Sequence, residues 1–393
     1  MADAIRVLQF ADIINRYDFI DNIIQHADRS RFSMSVCVRS EKSNIASPAF
    51  PEGTQHHKLN STSRRDILRV AWQLGRLMRD WNINILHTHH YDAAIVGWLA
   101  TRFYSPARLV VGRHYSDSIH RLPSAPKRRV LLQLEQLVNR AAERIIVPSQ
   151  FIYQLLVKRQ GIDPGKVDVV HYGFDSVKYA ACPSDEVRHI RKEFGLDGRI
   201  SIGCFGRLDD QKGHRFLLEA MAMMKSRPMQ LRLLIVGEGP ERAEFEKQAK
   251  AANLDEVVRF LGWRRDAMAL MEAVDIVVQP TLQEAFSQVM VEAFYKRKPL
   301  VITRVSGAVD VIRDGVNGLL VPQQDATAIA RAIERLADDS ELRSRMGEAA
   351  YDFASKHLVI DKIIRKYEQS YLLAMGPIVR PSDSLTARQP RDN

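Results

Sequence analysis

The chain has 393 residues, 46% of them hydrophobic and 26% charged, with a formal net charge of +10 at pH 7. That length points to two domains of ordinary size, and no apolar run reaches the roughly 20 residues that a bilayer-spanning helix needs. The charge is lopsided: residues 1–195 carry 28 Lys and Arg against 19 Asp and Glu, with no zinc finger, RNA-binding signature or aromatic-interleaved basic stripe, so nucleic acid is not the expected partner.

Taken in order, Ile5–Phe10 reads as a first strand and Met34–Val38 as a second, with a helix around Tyr17–His26 between them. The stretch Arg64–Trp81 places Ile67, Leu68, Trp72, Leu74, Leu77 and Met78 at helical spacing, with five arginines on much of the remainder. It is either a solvated basic face or a helix lying on an anionic membrane surface. Strands follow at Ile83–His87, Leu109–Gly112, Ile145–Pro148 and Val167–Val170, with a helix from about Asp92 and a long one from Lys127 to Arg144. Strands alternating with helices at this rhythm imply a doubly wound parallel sheet.

Residues 177–198 are polar and read as an irregular linker, after which the pattern begins afresh. The later strands are Ile200–Phe205, Leu231–Val236, Val257–Leu261, Asp275–Val278, Pro299–Ile302 and Gly318–Val321, and the last helices are Ala326–Ala337 and Asp361–Ala374. The expected architecture is therefore α/β, with two Rossmann-like domains over 1–176 and 199–360. A closing helix covers 361–376, and the proline-rich, polar 377–393 is expected to be disordered. Cys37, Cys182 and Cys204 are scattered, odd in number and without metal-site spacing, as for free thiols of a reducing cytosol. Met1–Phe10 lacks the long apolar region of a signal peptide. A cytoplasmic protein is expected, with the basic half at the inner face of the cytoplasmic membrane or against a phosphorylated acceptor.

The chemistry is written at the strand ends of the second half. Gly206-Arg-Leu-Asp-Asp-Gln-Lys-Gly213 follows a strand directly, bringing Arg207 and Lys212 to one place beside glycine backbone. A guanidinium, an ammonium and helix N-terminal amides are what a diphosphate requires. Val236-Gly-Glu-Gly-Pro240, containing Gly237, is a second glycine turn. Val274–Pro280 closes a strand, Glu284 falls in the loop beyond it, and Ser287 is placed to cap a helix carrying Glu292. From spacing alone, the two glutamates read as ordinary surface charges; the neighbouring residues give them the functional reading.

These motifs, with Asp314-Gly-Val-Asn-Gly-Leu-Leu-Val-Pro322 after them, resemble the retaining nucleotide-sugar glycosyltransferases of family 4, which have the GT-B fold. The resemblance covers about residues 5–375, closely in the second half and loosely in the first. It implies two domains facing a cleft and a final helix that crosses back to the first. Arg207 and Lys212 would hold the donor diphosphate and stabilise the departing nucleotide, Glu284 would touch the sugar hydroxyls, and Glu292 the ribose. Amides near Phe286 and Ser287 would meet the diphosphate, and His114 would contact the donor sugar. His87, His89 and His90 are rivals for that last role; they lack carboxylates or cysteines at ligand spacing, so neither metal nor cofactor is expected.

The same resemblance implies transfer with retention to a saccharide or lipid-linked acceptor, in surface polysaccharide or glycolipid synthesis, the leaving phosphate serving as base. A nucleotide-sugar epimerase and a non-catalytic binding protein are the alternatives. The chain departs from the family in three places. Ala11–Phe19 after the first strand holds no glycine, Ala285 stands where glycine is usual, and Asp310 where glutamate is common.

Overall fold

The structure is a computed structural model that describes residues 4–12, 18–39, 51–61, 63–114, 124–225 and 231–376. Most of the glycine-free loop (13–17) and the tail at 377–393 lie outside the described residues.

The first sheet contains β1 (Ile5–Ala11), β2 (Phe32–Val38), β3 (Gln55–Lys58), β4 (Ile85–His89), β5 (Arg108–Gly112), β6 (Arg144–Val147) and β7 (Val167–Val169). All are parallel, in the order β3-β2-β1-β4-β5-β6-β7. Its helices are α1 (Asp18–His26), α2 (Ile67–Asp80), α3 (Tyr91–Phe103), α4 (Ala125–Ala141) and α5 (Gln150–Gln154). After α6 (Ser184–Glu193) come β8 (Ile200–Phe205), β9 (Leu231–Val236), β10 (Val258–Gly262), β11 (Ile276–Gln279), β12 (Leu300–Thr303) and β13 (Leu319–Val321). These form a second parallel sheet ordered β10-β9-β8-β11-β12-β13. Around it lie α7 (His214–Met224), α8 (Arg242–Ala251), α9 (Ala267–Ala273), α10 (Gln288–Tyr295), α11 (Ser306–Val311), α12 (Ala326–Asp338) and α13 (Ser340–His357). The helix α14 (Ile360–Met375) ends the described chain. Each sheet reverses direction of growth once, between β1 and β4 and between β8 and β11, and such crossovers open the crevice in which α/β folds bind ligands.

Both sheets are buried on two faces, which is why their strands are continuous apolar runs. In the first, α2, α3 and α4 cover one face, while α14 lays Ile363, Tyr367 and Tyr371 against Val7, Ile85, Val110 and Ile146 on the other. Each fully buried side chain of that size contributes about 1.5–3 kcal/mol. The two crossings between domains run side by side, with Phe174 N–H donating to Leu358 O (2.9 Å) and Ile360 N–H to Phe174 O (3.1 Å).

Four local expectations change. The stretch expected as an irregular linker holds a 3-10 turn (Ser176–Tyr179) and α6, whose Ile190, with the following Leu196, enters the second domain's core. β3 leaves no signal in the sequence, because Gln55-His-His-Lys58 is an exposed, polar edge strand with no apolar alternation. β4 runs to His89 instead of His87, so His87 and His89 are buried strand residues. Finally, α2 buries Val70, Ala71, Leu74, Gly75, Leu77 and Met78, whereas Leu68 and Trp72, 68% and 45% exposed, project outward among arginines.

Candidate functional site

The site forms where β8 and β11 diverge. Beyond β8, Asp210–Lys212 makes one 3-10 turn, capped by the Asp209 carboxylate, which accepts from Lys212 N–H at 3.2 Å. Gly213 then starts α7 at φ 67°, and a Cβ there would stand 2.1 Å from Pro280 O. Only glycine lets the two loops press together so closely. Leu282 N–H (2.7 Å) and Thr281 Oγ1 (3.0 Å) both donate to Gln211 O, stitching the loops. The result is that Lys212 Nζ lies 2.5 Å from Glu284 Oε2.

Next to this pair, Ser287 caps α10. Its Oγ accepts from Met290 N–H (3.1 Å) and donates to Gln279 Oε1 (2.6 Å) at the end of β11. The polarity of the capped helix start and the ammonium of Lys212 both favour a bound anion. A cavity of about 280 Å³ opens over these groups, lined by Lys212, Glu284, Phe286 and Ser287 on one side and His90, His114 and Tyr172 on the other.

The opposite wall comes from the first domain. His114 follows β5 and uses both ring nitrogens: Nε2 lies 2.9 Å from His89 Nδ1, and Nδ1 2.9 Å from Tyr172 Oη. His89 Nε2 is 2.8 Å from Gln9 Oε1, and Gln9 Nε2 donates to Tyr371 Oη (3.1 Å), which also meets His87 Nδ1 at 2.9 Å. Burial holds His87 down to about 3 and His90 to about 4, and His89 and His114 well below the ordinary histidine range, with repulsion among the rings adding to the last two. The cluster is therefore neutral at pH 7. Arg113, beside His114, is buried with Glu135 of α4 at 3.3 Å. His90 sits at φ 72°, a conformation uncommon for a residue with a Cβ and often retained at functional sites.

Tyr172 and Phe286 join the walls, their rings 5.4 Å apart and inclined at 67°, while His171 stacks on Phe286 at 5.1 Å. Ala285 is buried in the first domain's apolar cluster, so its methyl group packs across the cleft. Asp310 accepts from Gln150 N–H at 2.6 Å, another contact across it.

His114, Lys212, Glu284, Phe286 and Ser287 thus share one cavity. Arg207 does not line it: its side chain is 69% exposed and turned to Asp209, with Nε 3.5 Å from Oδ2. Gly206 and Gly237 are not among the lining residues; their adjoining loops are so close that a Cβ on Gly237 would fall 1.8 Å from Gly206 O. Glu292 is just over one turn along α10, accepting from Gln288 Nε2 at 3.1 Å, outside the cavity lining. Sequence reasoning gave no role to Gln9, Tyr172 or Gln279. The segment His171–Asp175 follows the expected strand Val167–Val170, and nothing in it announces a hydroxyl aimed at a histidine 58 residues earlier.

Residues 186–353 match the family described as Glycosyl transferases group 1, and residues 19–178 match Glycosyltransferase Family 4. A D-inositol 3-phosphate glycosyltransferase of Corynebacterium kroppenstedtii is 32% identical over 70% of this chain and 63% of its own length. The enzyme of that name from Corynebacterium urealyticum is 31% identical over 77% of this chain and 70% of its own. The chain therefore spans a little under two thirds of the first relative. HepE of Anabaena, solved in complex with UDP, superposes with a TM-score of 0.80 at 22% identity, over 94% of this chain and all of that one. Two parallel-sheet domains with an interdomain cavity, and relatives matched across both halves, place this chain in glycosyltransferase family 4, with the GT-B fold.

Proposed function

We propose that this chain transfers a sugar from a nucleotide diphosphate sugar to a hydroxyl acceptor, with retention at the anomeric carbon and without a metal ion. The observation that carries the reading is the Lys212–Glu284 pair at the start of a capped helix, inside a cavity closed by the other domain. An ammonium and helix amides stabilise the charge that develops on a departing diphosphate. Glu284 is placed to accept from sugar hydroxyls, and the leaving phosphate takes the acceptor's proton. The exposed Arg207 swings in from the rim to the diphosphate, and Glu292 holds the ribose. HepE has been solved with UDP-glucose, which supports a uridine donor here.

The acceptor is a polyol. The names of the relatives favour a phosphorylated cyclitol, and the basic first half of the chain fits such an anion; a saccharide or a lipid-linked saccharide is the second candidate. No described helix is long and apolar enough to cross a membrane. The outer face of α2 and of the turn before it, with Leu68 and Trp72 among Arg65, Arg69, Arg76 and Arg79, suits the headgroup layer of an anionic bilayer.

The test is a thermal-shift screen against UDP-, GDP-, ADP- and dTDP-sugars, with and without divalent metal, followed by turnover with each acceptor class. A donor at 100 times its dissociation constant stabilises the fold by about 2.7 kcal/mol. One nucleotide class standing out without metal, and consumed only when acceptor is present, is the expected result. Donor conversion without acceptor would favour an epimerase, and binding without turnover a non-catalytic protein.

A further inference from the structure

His114 leaves no ring nitrogen for a ligand, because both are within 2.9 Å of protein partners. What the wall presents to the cavity depends on which way the protons run along Gln9, His89, His114 and Tyr172. Gln9 decides it. Its amide nitrogen lies 3.1 Å from Tyr371 Oη and 3.8 Å from Met34 Sδ, a sulfur that attracts N–H and repels a carbonyl oxygen. The carbonyl Oε1 therefore faces His89 Nε2, which must carry the proton. In a neutral imidazole the other nitrogen is then an acceptor. His89 Nδ1 thus accepts from His114 Nε2–H, and His114 Nδ1 accepts from the Tyr172 hydroxyl.

Resting on the glycosyltransferase reading above, we propose that Gln9 and His89 fix His114 as its Nε2–H tautomer, and that His114 in turn holds the Tyr172 hydroxyl so that its oxygen, not the histidine, accepts a hydrogen bond from a hydroxyl of the donor sugar. Tyr172 is then the sugar-contacting residue on this wall; Gln9, His89 and His114 are positioning residues. Tyr172 lines the cavity that Glu284 and Lys212 line, so two oxygen acceptors, one from each side, face the sugar. The neutrality that burial imposes on the histidines keeps the chain directional at physiological pH. The anchor at Tyr371 belongs to α14, the helix that returns from the second domain, so the wall is braced by the element that joins the domains.

Two measurements on the full chain test this. Long-range 1H–15N correlation on 15N-histidine-labelled protein reads each tautomer directly. The expected spectrum shows His114 protonated at Nε2 and bare at Nδ1; protonation at Nδ1 would overturn the proposal without bearing on the glycosyltransferase reading. Calorimetric affinities for UDP-glucose and UDP provide the second. Tyr172→Phe is expected to weaken UDP-glucose about tenfold, the scale of one hydrogen bond, and to leave UDP unchanged. Gln9→Met is expected to weaken UDP-glucose in the native background and to cost nothing further in Tyr172→Phe; an additive loss would mean that Gln9 acts only through general packing, and would refute its positioning role. Unchanged UDP-glucose affinity in Tyr172→Phe overturns the sugar contact alone. If the native chain binds no nucleotide sugar at all, the glycosyltransferase reading falls and the sugar contact with it.

Discussion

The Gln150 amide donates a 2.6 Å hydrogen bond to Asp310 Oδ2, so a carboxylate on α11 of the second domain satisfies the first turn of α5 in the other domain. Burial pushes the Asp310 carboxyl above its usual range, and the bond from Gln150 and the nearby His171 hold it back. The residue where the family commonly has glutamate is here one of the contacts between the domains. Asp310→Ala removes it, with an expected loss of about 1 kcal/mol by analogy with other helix-end acceptors. Hydrogen exchange should then quicken at Gln150–Ile152 before it changes in either sheet. Unaltered exchange there would show that the domains are held by their apolar contacts alone.

Lys212→Ala is expected to lower turnover by on the order of 10²-fold or more, the scale of losing one group that stabilises leaving-group charge. Lys212→Arg should recover part of it. The variant also leaves Glu284 without its 2.5 Å partner in a half-buried loop. Single-turnover rates with saturating donor check this, and a near-normal rate would remove Lys212 from the chemistry.

Acid should destabilise the fold earlier than carboxylate loss alone would explain. His87, His90 and His214 have folded values near 3, 4 and 4 against 6.5 when free, because burial disfavours their charged forms. Above pH 6.5 these groups are neutral in both states and carry no penalty. Below it the unfolded chain takes up protons that the folded chain refuses, so stability falls by up to about 1.4 kcal/mol per pH unit per histidine until the folded values are reached. Urea unfolding at pH 7 and pH 5 measures the slope. His214 is buried against Phe245 with neither ring nitrogen hydrogen-bonded, and the nearby Lys212 adds to the effect of burial; it does not line the cavity, so His214→Leu should shallow the slope without removing a lining group.

The α2 surface makes a separate prediction. Each arginine near an anionic bilayer contributes about 1 kcal/mol, so Arg69→Gln, Arg76→Gln and Arg79→Gln together should weaken binding to phosphatidylserine vesicles roughly a hundredfold. Trp72→Ala should reduce what remains. Co-sedimentation with anionic and neutral vesicles is the readout. Equal binding of native and triple variant would dismiss the membrane face.

The sequence by itself determined the fold class and brought out one half of the candidate site. Buried parallel strands must be apolar on both faces, so each of β8, β9, β11 and β12 announced itself. The caps at Ser287 and the loop residues Lys212 and Glu284 follow their strands within a few positions, where local rules apply. Tertiary structure alone decided the other half. A strand such as β3 has polar side chains because it forms an edge, and α6 has too little apolar surface to be seen until Ile190 meets the second domain. By resemblance His114 is a donor-sugar contact; in the fold its ring nitrogens meet His89 and Tyr172, and His89 in turn meets Gln9, a chain brought together from three strand ends and a crossing segment. Hydrogen bonds between residues 25 to 80 positions apart leave no periodic trace in a chain. Their direction is fixed by packing, here by one methionine sulfur beside Gln9.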